Sequence, residues 1–143
     1  MSDCIFCKIV AGTAPCDAVH EDDLTITFMD LFPVGRGHLL IVPKAHAENL
    51  FEVPGATLER IIGHSRRVAF ALRNAFSPDG IAVHQLNGAA AGQTVFHYHM
   101  HLIPRWNGDP TRLHGRQRGD DAELVEHARL VKEALAAVPA DLD

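Results

Sequence analysis

The sequence of 143 residues has little of what membrane, polymer-binding or disulfide-stapled proteins are built from. No stretch approaches the ~18 consecutive apolar residues of a membrane span. The opening MSDCIFCKIV has neither a long apolar segment nor a cleavage-site pattern, so no signal peptide is expected. Positive charge is also short. Thirteen Lys and Arg face 18 Asp and Glu, for a net charge of −5, and no basic run stands out. That argues against a long groove for a nucleic-acid polymer. It leaves room for a mononucleotide, which needs only a few well-placed donors. Cysteine is limited to three residues, two of them spaced Cys4-x-x-Cys7. This suits a reducing compartment better than a disulfide framework, and a cytoplasmic location is expected. With no internal repeat and an ordinary 47% apolar content, residues 1–143 read as one domain.

What is present in abundance is histidine, and it is concentrated. Residues 96–105 read FHYHMHLIPR, with His97, His99 and His101 alternating with Tyr98, Met100 and Leu102. On a β-strand successive side chains point to opposite faces, so the three imidazoles share one face and the apolar residues the other. On a helix consecutive histidines of this spacing would lie about 200° apart. A row of imidazoles is poor core material, because each ring brings two nitrogens that need partners. The stretch therefore reads as a functional strand.

In order along the chain, CIFCKIV (4–10) predicts a turn or more of helix with Ile5, Phe6 and Ile9 on its apolar face. Short strands are expected at 18–20 and 24–29, a loop at 31–37, and a buried strand at 38–42. Leu58, Ile61, Ile62, Ser65, Ala69, Leu72 and Phe76 recur on a helical period over 57–76, with Thr57 a plausible N-cap. A strand at 81–86, the loop NGAAAGQT (87–94) and the histidine strand follow. A last helix is expected over about 121–138, with Leu124, Ala128, Val131 and Leu135 on its buried stripe. The pattern is α+β, with a mainly antiparallel sheet of about five strands, one long helix and a C-terminal helix.

The loop before the histidine strand is the second informative stretch. Gly88 and Gly92 permit backbone shapes closed to other residues, and such a loop can aim N–H groups at an anion. No Gly-Lys-Ser/Thr ending follows, so it is not a P-loop. Asn87, Gln93 and Thr94 offer neutral donors beside imidazoles, which suits a phosphate held without a metal. A plain hairpin connection would look similar.

NGAAAGQTVFHYHMHLIPR resembles the signature of the histidine-triad (HIT) family, in which alternating histidines follow a Gly-Gln-Thr/Ser-Val segment. GRGHLLIVPKAH (35–46) and FMDLFP (28–33) are similar to two further segments of that family, in its order, and CIFCKIV resembles the start of its Hint-like branch. The likeness spans about 4–105 and leaves 106–143 as a tail. It implies a homodimer whose two sheets join into one, and a nucleoside 5′-phosphate site. It further implies hydrolysis or transfer at an α-phosphorus through a covalent nucleotidyl-histidine, on purine nucleoside phosphoramidates or dinucleoside polyphosphates. By position His99 is the implied nucleophile, and a neutral imidazole is an available one near physiological pH. His101 would bond the phosphate or protonate the leaving group. His38 stands at the family's fourth-histidine position. Asp30 matches the acid that bonds the ribose hydroxyls, and Ile5, Phe6, Ile9, Phe28 and Leu31 match the apolar slot around the base. Asn87, Gly92, Gln93 and Thr94 fall in the segment that holds the phosphate.

Cys4, Cys7, His46 and His97 form a second constellation, two thiolates and two imidazoles, which is a complete tetrahedral zinc set. The resemblance supports one structural zinc per chain, with none needed for catalysis. Two other readings stand beside the enzyme: a nucleotide sensor without turnover, and a metallohydrolase ligated by His97, His99 and His101. Cys16 reads as a small apolar residue. His20, His64, His84, His114 and His127 have no partner pattern in the sequence. The basic RLHGRQR (112–118) reads as a solvated loop, or as a border of the nucleotide site if the tail folds back.

Overall fold

The computed structural model describes residues 3–142. A short helix α1 (Ile5–Ala11) leads into strands β1 (Ala18–Glu21), β2 (Thr25–Met29) and β3 (Leu39–Pro43). The long helix α2 (Gly55–Phe76) precedes β4 (Gly80–His84) and β5 (Met100–Arg105), and α3 (Asp121–Ala136) comes last. The strands form one antiparallel sheet in the order β1-β2-β3-β5-β4. The fold is the expected α+β arrangement. No helix among the described residues is long and apolar enough to cross a membrane.

Each sheet face has its own apolar cluster. Met29, Leu39, Ile41, Tyr98, Met100 and Leu102 pack with Ile61, Val68 and Leu72 of α2 and with Leu124, Ala128, Val131 and Leu135 of α3. On the other face Ile26, Phe28, Leu40 and Val42 pack with Phe6 and Ile9 of α1. The sheet thus has two helices behind it and one small helix in front. The side-chain alternation around the histidines holds as expected, since Tyr98, Met100 and Leu102 all point to the α2–α3 side.

Several expectations need correction. Regular pairing of the histidine strand begins at Met100, not Phe96; only His101 lies inside β5. Residues before it are held by single contacts such as Tyr98 N–H to the Ala47 carbonyl (2.7 Å). Helix α2 starts at Gly55 after Pro54, and Thr57 lies inside it instead of capping it. Its buried stripe includes His64, Val68 and Ala71, while Ile62 is 58% exposed. The cause is a bulge in β1: Ala18 pairs with Phe28 but His20 pairs with Thr27, leaving Val19 between them. The bulge turns both Val19 and His20 toward the helices. His20 then lies against His64, with ring centroids 4.2 Å apart and planes tilted by 32°, on the inner side of the helix. Strand β4 ends at His84, and NGAAAGQT contains a 3-10 turn at Ala89–Ala91.

Candidate functional site

One cross-strand row organises the front face. His84, His101, Leu40, Phe28 and Ala18 are successive partners across β4, β5, β3, β2 and β1. Three of them, Phe28, Leu40 and His101, line a cleft of about 350 Å³ together with Ile5, Phe6, Ile9, Asp30, Leu31, Thr94, Val95 and His99. This volume lies at the low end for small-molecule sites. Every residue expected in the apolar slot is on its wall, Ile5, Phe6, Ile9, Phe28 and Leu31. A larger hollow of about 620 Å³ lies behind the 33–38 loop between Arg36, Asp120, Glu123 and His127. It holds no imidazole of the 97–101 row.

At the polar end of the cleft the hydrogen bonds assign each ring its proton. Val34 N–H donates to His38 Nδ1 (2.9 Å), so the neutral His38 carries its proton on Nε2. That Nε2–H faces His101 Nδ1 at 2.9 Å, which leaves the His101 proton on its own Nε2. His101 Nε2 is buried without a protein partner, an N–H directed outward from the relay. His99 Nδ1–H donates to the His97 carbonyl at 2.7 Å. Its Nε2 is therefore a bare lone pair, with no bond to another described residue, in a ring that lines the cleft. These assignments follow from the network.

Burial keeps this row uncharged. His38 is pushed down to about 3 and His101 to about 2, by desolvation first and by the neighbouring imidazoles second. His99 is lowered by the same causes. Asp30 moves the other way, up to about 6, because its carboxyl is largely desolvated. The 3.4 Å contact between Asp30 and His38 is thus a carboxyl beside a neutral ring. Asp30 Oδ1 accepts the Phe32 N–H (2.8 Å), and Oδ2 is the oxygen turned toward His38.

His97 turns to different company. Its Nε2–H donates to the Pro43 carbonyl (2.8 Å), which bares Nδ1. That nitrogen lies 3.3 Å from Cys4 Sγ and 3.6 Å from Cys7 Sγ, while His46 Nδ1 is 3.3 Å from Cys7 Sγ. All four ligand atoms fall within 4.8 Å of one another. Zinc bonds to sulfur and nitrogen of usual length at a tetrahedral angle place S and N about 3.5 Å apart. The spacing fits the ion, and the carbonyl on His97 Nε2 is the outer partner that ligating histidines normally have. Burial and the adjacent Cys4 sulfur raise the Cys7 thiol. Asp30, His38 and His101 also cluster. Their imidazole nitrogens, however, are 2.9 Å apart, hydrogen-bond distance, whereas two nitrogens around one tetrahedral ion would be about 3.4 Å apart. His97, His99 and His101 do not converge on a common point.

The glycine loop behaves less simply. Gln93 is 4% exposed and its amide is fully engaged: Nε2 donates to the carbonyls of Glu48 (2.6 Å) and Val95 (3.1 Å), and Oε1 accepts Gly88 N–H (2.7 Å). Asn87 is paired with Gln85 and accepts the Leu50 N–H (2.8 Å), away from the cleft wall. Both side chains shape the loop. Gly92, at φ 102, turns it toward the cleft, and Thr94 reaches the lining.

Sequence reasoning missed two histidines. His84 stacks on His101 at 4.4 Å with an angle of 21°, and His114 lies 6.0 Å from the same ring and lines the cleft. Both readings of 112–118 hold in part: Arg112, Leu113, Arg116, Gln117 and Arg118 are exposed, while His114 and Gly115 border the cleft. The tail folds back: Gly119 N–H donates to Leu31 O (2.8 Å), and Gly115 packs on the Phe32 and Pro33 carbonyls where no Cβ would fit. The pairing of β4 with β5, which sets His84 over His101, has no local sequence signal.

Comparison with known proteins agrees with this geometry. The HIT domain family matches residues 11–108, and the chain belongs to that family. It is 41% identical over 120 residues to Protein hit of Bacillus subtilis, covering 83% of each chain. It is 34% identical over 144 residues to an Arabidopsis thaliana protein named adenylylsulfatase HINT3, covering 96% of this chain and 72% of that one. Among solved structures, a zinc-bound histidine triad family protein from Mycobacterium smegmatis superposes with a TM-score of 0.84 at 38% identity, covering 94% of both chains. A Hit-like protein from Bartonella henselae gives 0.84 at 36% identity, over 94% of this chain and 98% of that one.

Proposed function

We propose that this protein hydrolyses or transfers nucleoside 5′-phosphate derivatives at the α-phosphorus, through a covalent nucleotidyl group on His99. The observation that carries the reading is the bare Nε2 of His99 beside the unpartnered Nε2–H of His101, at the polar end of an apolar cleft that also holds Asp30. The base occupies the slot of Ile5, Phe6, Ile9, Phe28 and Leu31, and Asp30 accepts the ribose hydroxyls. His99 Nε2 bonds to phosphorus as the bond from phosphorus to the leaving group breaks. The leaving group departs with that electron pair and takes a proton from water, while His101 Nε2–H stays on its ring and donates a hydrogen bond to a phosphate oxygen. The His38 relay holds the His101 ring and its tautomer. Water then cleaves the P–N bond, releasing the nucleoside monophosphate and restoring the neutral imidazole. Thr94 and the backbone turned by Gly92 face the phosphate oxygens, while Asn87 and Gln93 hold the loop.

Zinc belongs to this reading as a structural ion on Cys4, Cys7, His46 and His97. All four positions are protein groups, so it fixes α1 against the sheet and leaves no place for a reacting water. Residues 1–143 act as one HIT domain, as a homodimer, in the cytoplasm. The test is release of AMP from adenosine 5′-phosphosulfate, adenosine 5′-phosphoramidate and diadenosine polyphosphate, with His99→Ala as control. Turnover that survives chelator and falls at least about 10³-fold in His99→Ala, with AMP binding retained, is expected. AMP binding with no turnover of any substrate would replace the enzyme by a sensor.

A further inference from the structure

The tail beyond residue 108 lies outside the matched family segment, yet it places an imidazole in the cleft. After β5 the chain forms a strap across the site. Arg105 anchors its start, donating to the carbonyls of Pro110 (2.7 Å) and Arg112 (2.5 Å). Gly115 seats its middle on the Phe32–Pro33 backbone, and Gly119 N–H fastens its end to Leu31 O at 2.8 Å. Between these pins His114 donates Nε2–H to the Gly92 carbonyl (2.8 Å). With that nitrogen committed, Nδ1 is the atom left to act.

Resting on the hydrolase reading above, we propose that His114 is a substrate-contacting residue that selects substrates carrying an oxyanion group beyond the α-phosphorus, a sulfuryl or phosphoryl leaving group in preference to an amine. Three observations support the assignment. The position is right: His114 touches the glycine loop and faces His101, so it stands at the polar end of the cleft, not among Phe6, Ile9 and Phe28. The chemistry is needed: the cleft wall contains no Lys or Arg, so imidazoles must meet the negative charge of the substrate. The burial differs: His99 and His101 are nearly closed off at 8% and 3% exposure, whereas His114 is only half-buried. Its ring is thus open to a substrate group that extends past the α-phosphorus, and an imidazolium bound to an oxyanion has a donor on each ring nitrogen, only one of which Gly92 occupies here.

Binding separates this assignment from catalysis. Affinities of adenosine, AMP and ADP are measured by calorimetry for the full chain, His114→Ala and His114→Gln. The β-phosphate of ADP is the oxyanion group beyond the α-phosphorus. The expected result is a preference for ADP over AMP that drops at least about fivefold in both variants, with adenosine binding unchanged. His114→Gln can keep the Gly92 bond but has no ring Nδ1, so its loss of preference isolates that nitrogen from the closure of the strap. An unchanged ADP-to-AMP ratio would overturn the assignment. So would an equal loss of all three ligands, which would make the strap a cover and nothing more. In turnover, His114→Ala is expected to lower kcat/KM for adenosine 5′-phosphosulfate at least about fivefold more than for the phosphoramidate, and an equal effect on both would overturn the selectivity. A wild-type chain that turns over neither substrate would sink the hydrolase reading, and the ADP-to-AMP ratio would still decide the role of His114.

Discussion

The Cys4–Cys7–His46–His97 cluster and the Asp30–His38–His101–His99 cleft are built from the same row of alternating histidines, yet they are prepared for opposite tasks. The difference lies in which ring nitrogen the backbone occupies. At His97 the Pro43 carbonyl takes Nε2–H, so Nδ1 is bare and meets two sulfurs. At His99 the His97 carbonyl takes Nδ1–H, so Nε2 is bare and meets the cleft. At His101 the His38 relay fills Nδ1, so the outward nitrogen carries a proton. On the proposed reading, one short stretch would present a ligand, a nucleophile and a donor in succession. Phe6 joins the two regions, edge-on to both His97 (5.8 Å) and His99 (5.1 Å).

Breaking the metal cluster is expected to have the largest effect on the fold. Cys7→Ser should reduce zinc to well below one per chain and lower Tm by on the order of 10 °C, the scale of about 3 kcal/mol in a domain of this size. Because α1 carries Ile5, Phe6 and Ile9 into the cleft, KM should rise more than kcat falls. Metal analysis, a thermal melt and steady-state kinetics check this together; full zinc and an unchanged melt would remove the metal from the account.

A cut in the relay sharpens the contrast from the other side. His38→Phe keeps a ring but leaves His101 Nδ1 without its donor and Val34 N–H without its acceptor. The stability cost is about 1–3 kcal/mol for a buried polar group left unpaired. The rate should fall roughly 10–100-fold as His101 loses its fixed tautomer, while zinc content stays intact. Loss of zinc in this variant would mean that the two regions are one unit.

The smallest expected effect is a pH dependence of stability. Unfolded imidazoles near 6.5 take protons that the buried rings refuse: His64 at about 4, His38 at about 3 and His101 at about 2. Their contribution to stability is full above pH 6.5 and is lost as pH falls toward those values. Asp30, raised to about 6, acts in the opposite sense: its contribution is present below the ordinary carboxyl range and is lost as pH rises through 6. The imidazoles outnumber it, so the chain weakens in acid. His64, at 6% exposure and outside both clusters, accounts for up to about 2 kcal/mol of the change between pH 8 and pH 5. Denaturant titrations of His64→Leu should show a correspondingly flatter profile, and an identical slope in wild type and variant would contradict this.

Much of this was legible in the sequence, for definite reasons. Alternation separated His97, His99 and His101 from Tyr98, Met100 and Leu102, because a period of two survives even where regular pairing starts only at Met100. The stripe of Leu124, Ala128, Val131 and Leu135 on α3 was read correctly, since nothing nonlocal disturbs it. The stripe on α2 was misread at Ile62 because a bulge in a different element, β1, recruits His64 to the interior. His84 was opaque for the same kind of reason: its place over His101 is a matter of cross-strand register. His114 depends on a strap whose pins are backbone carbonyls, which no side-chain pattern announces.

The measurement that bears most directly on the account is the tautomer of each ring, read from long-range ¹H–¹⁵N correlations of the zinc-loaded protein near pH 7.5. The account predicts the proton on Nε2 of His97, on Nδ1 of His99 and on Nε2 of His101, with all three rings neutral. A His99 ring protonated on Nε2, or three rings sharing one tautomer, would contradict it.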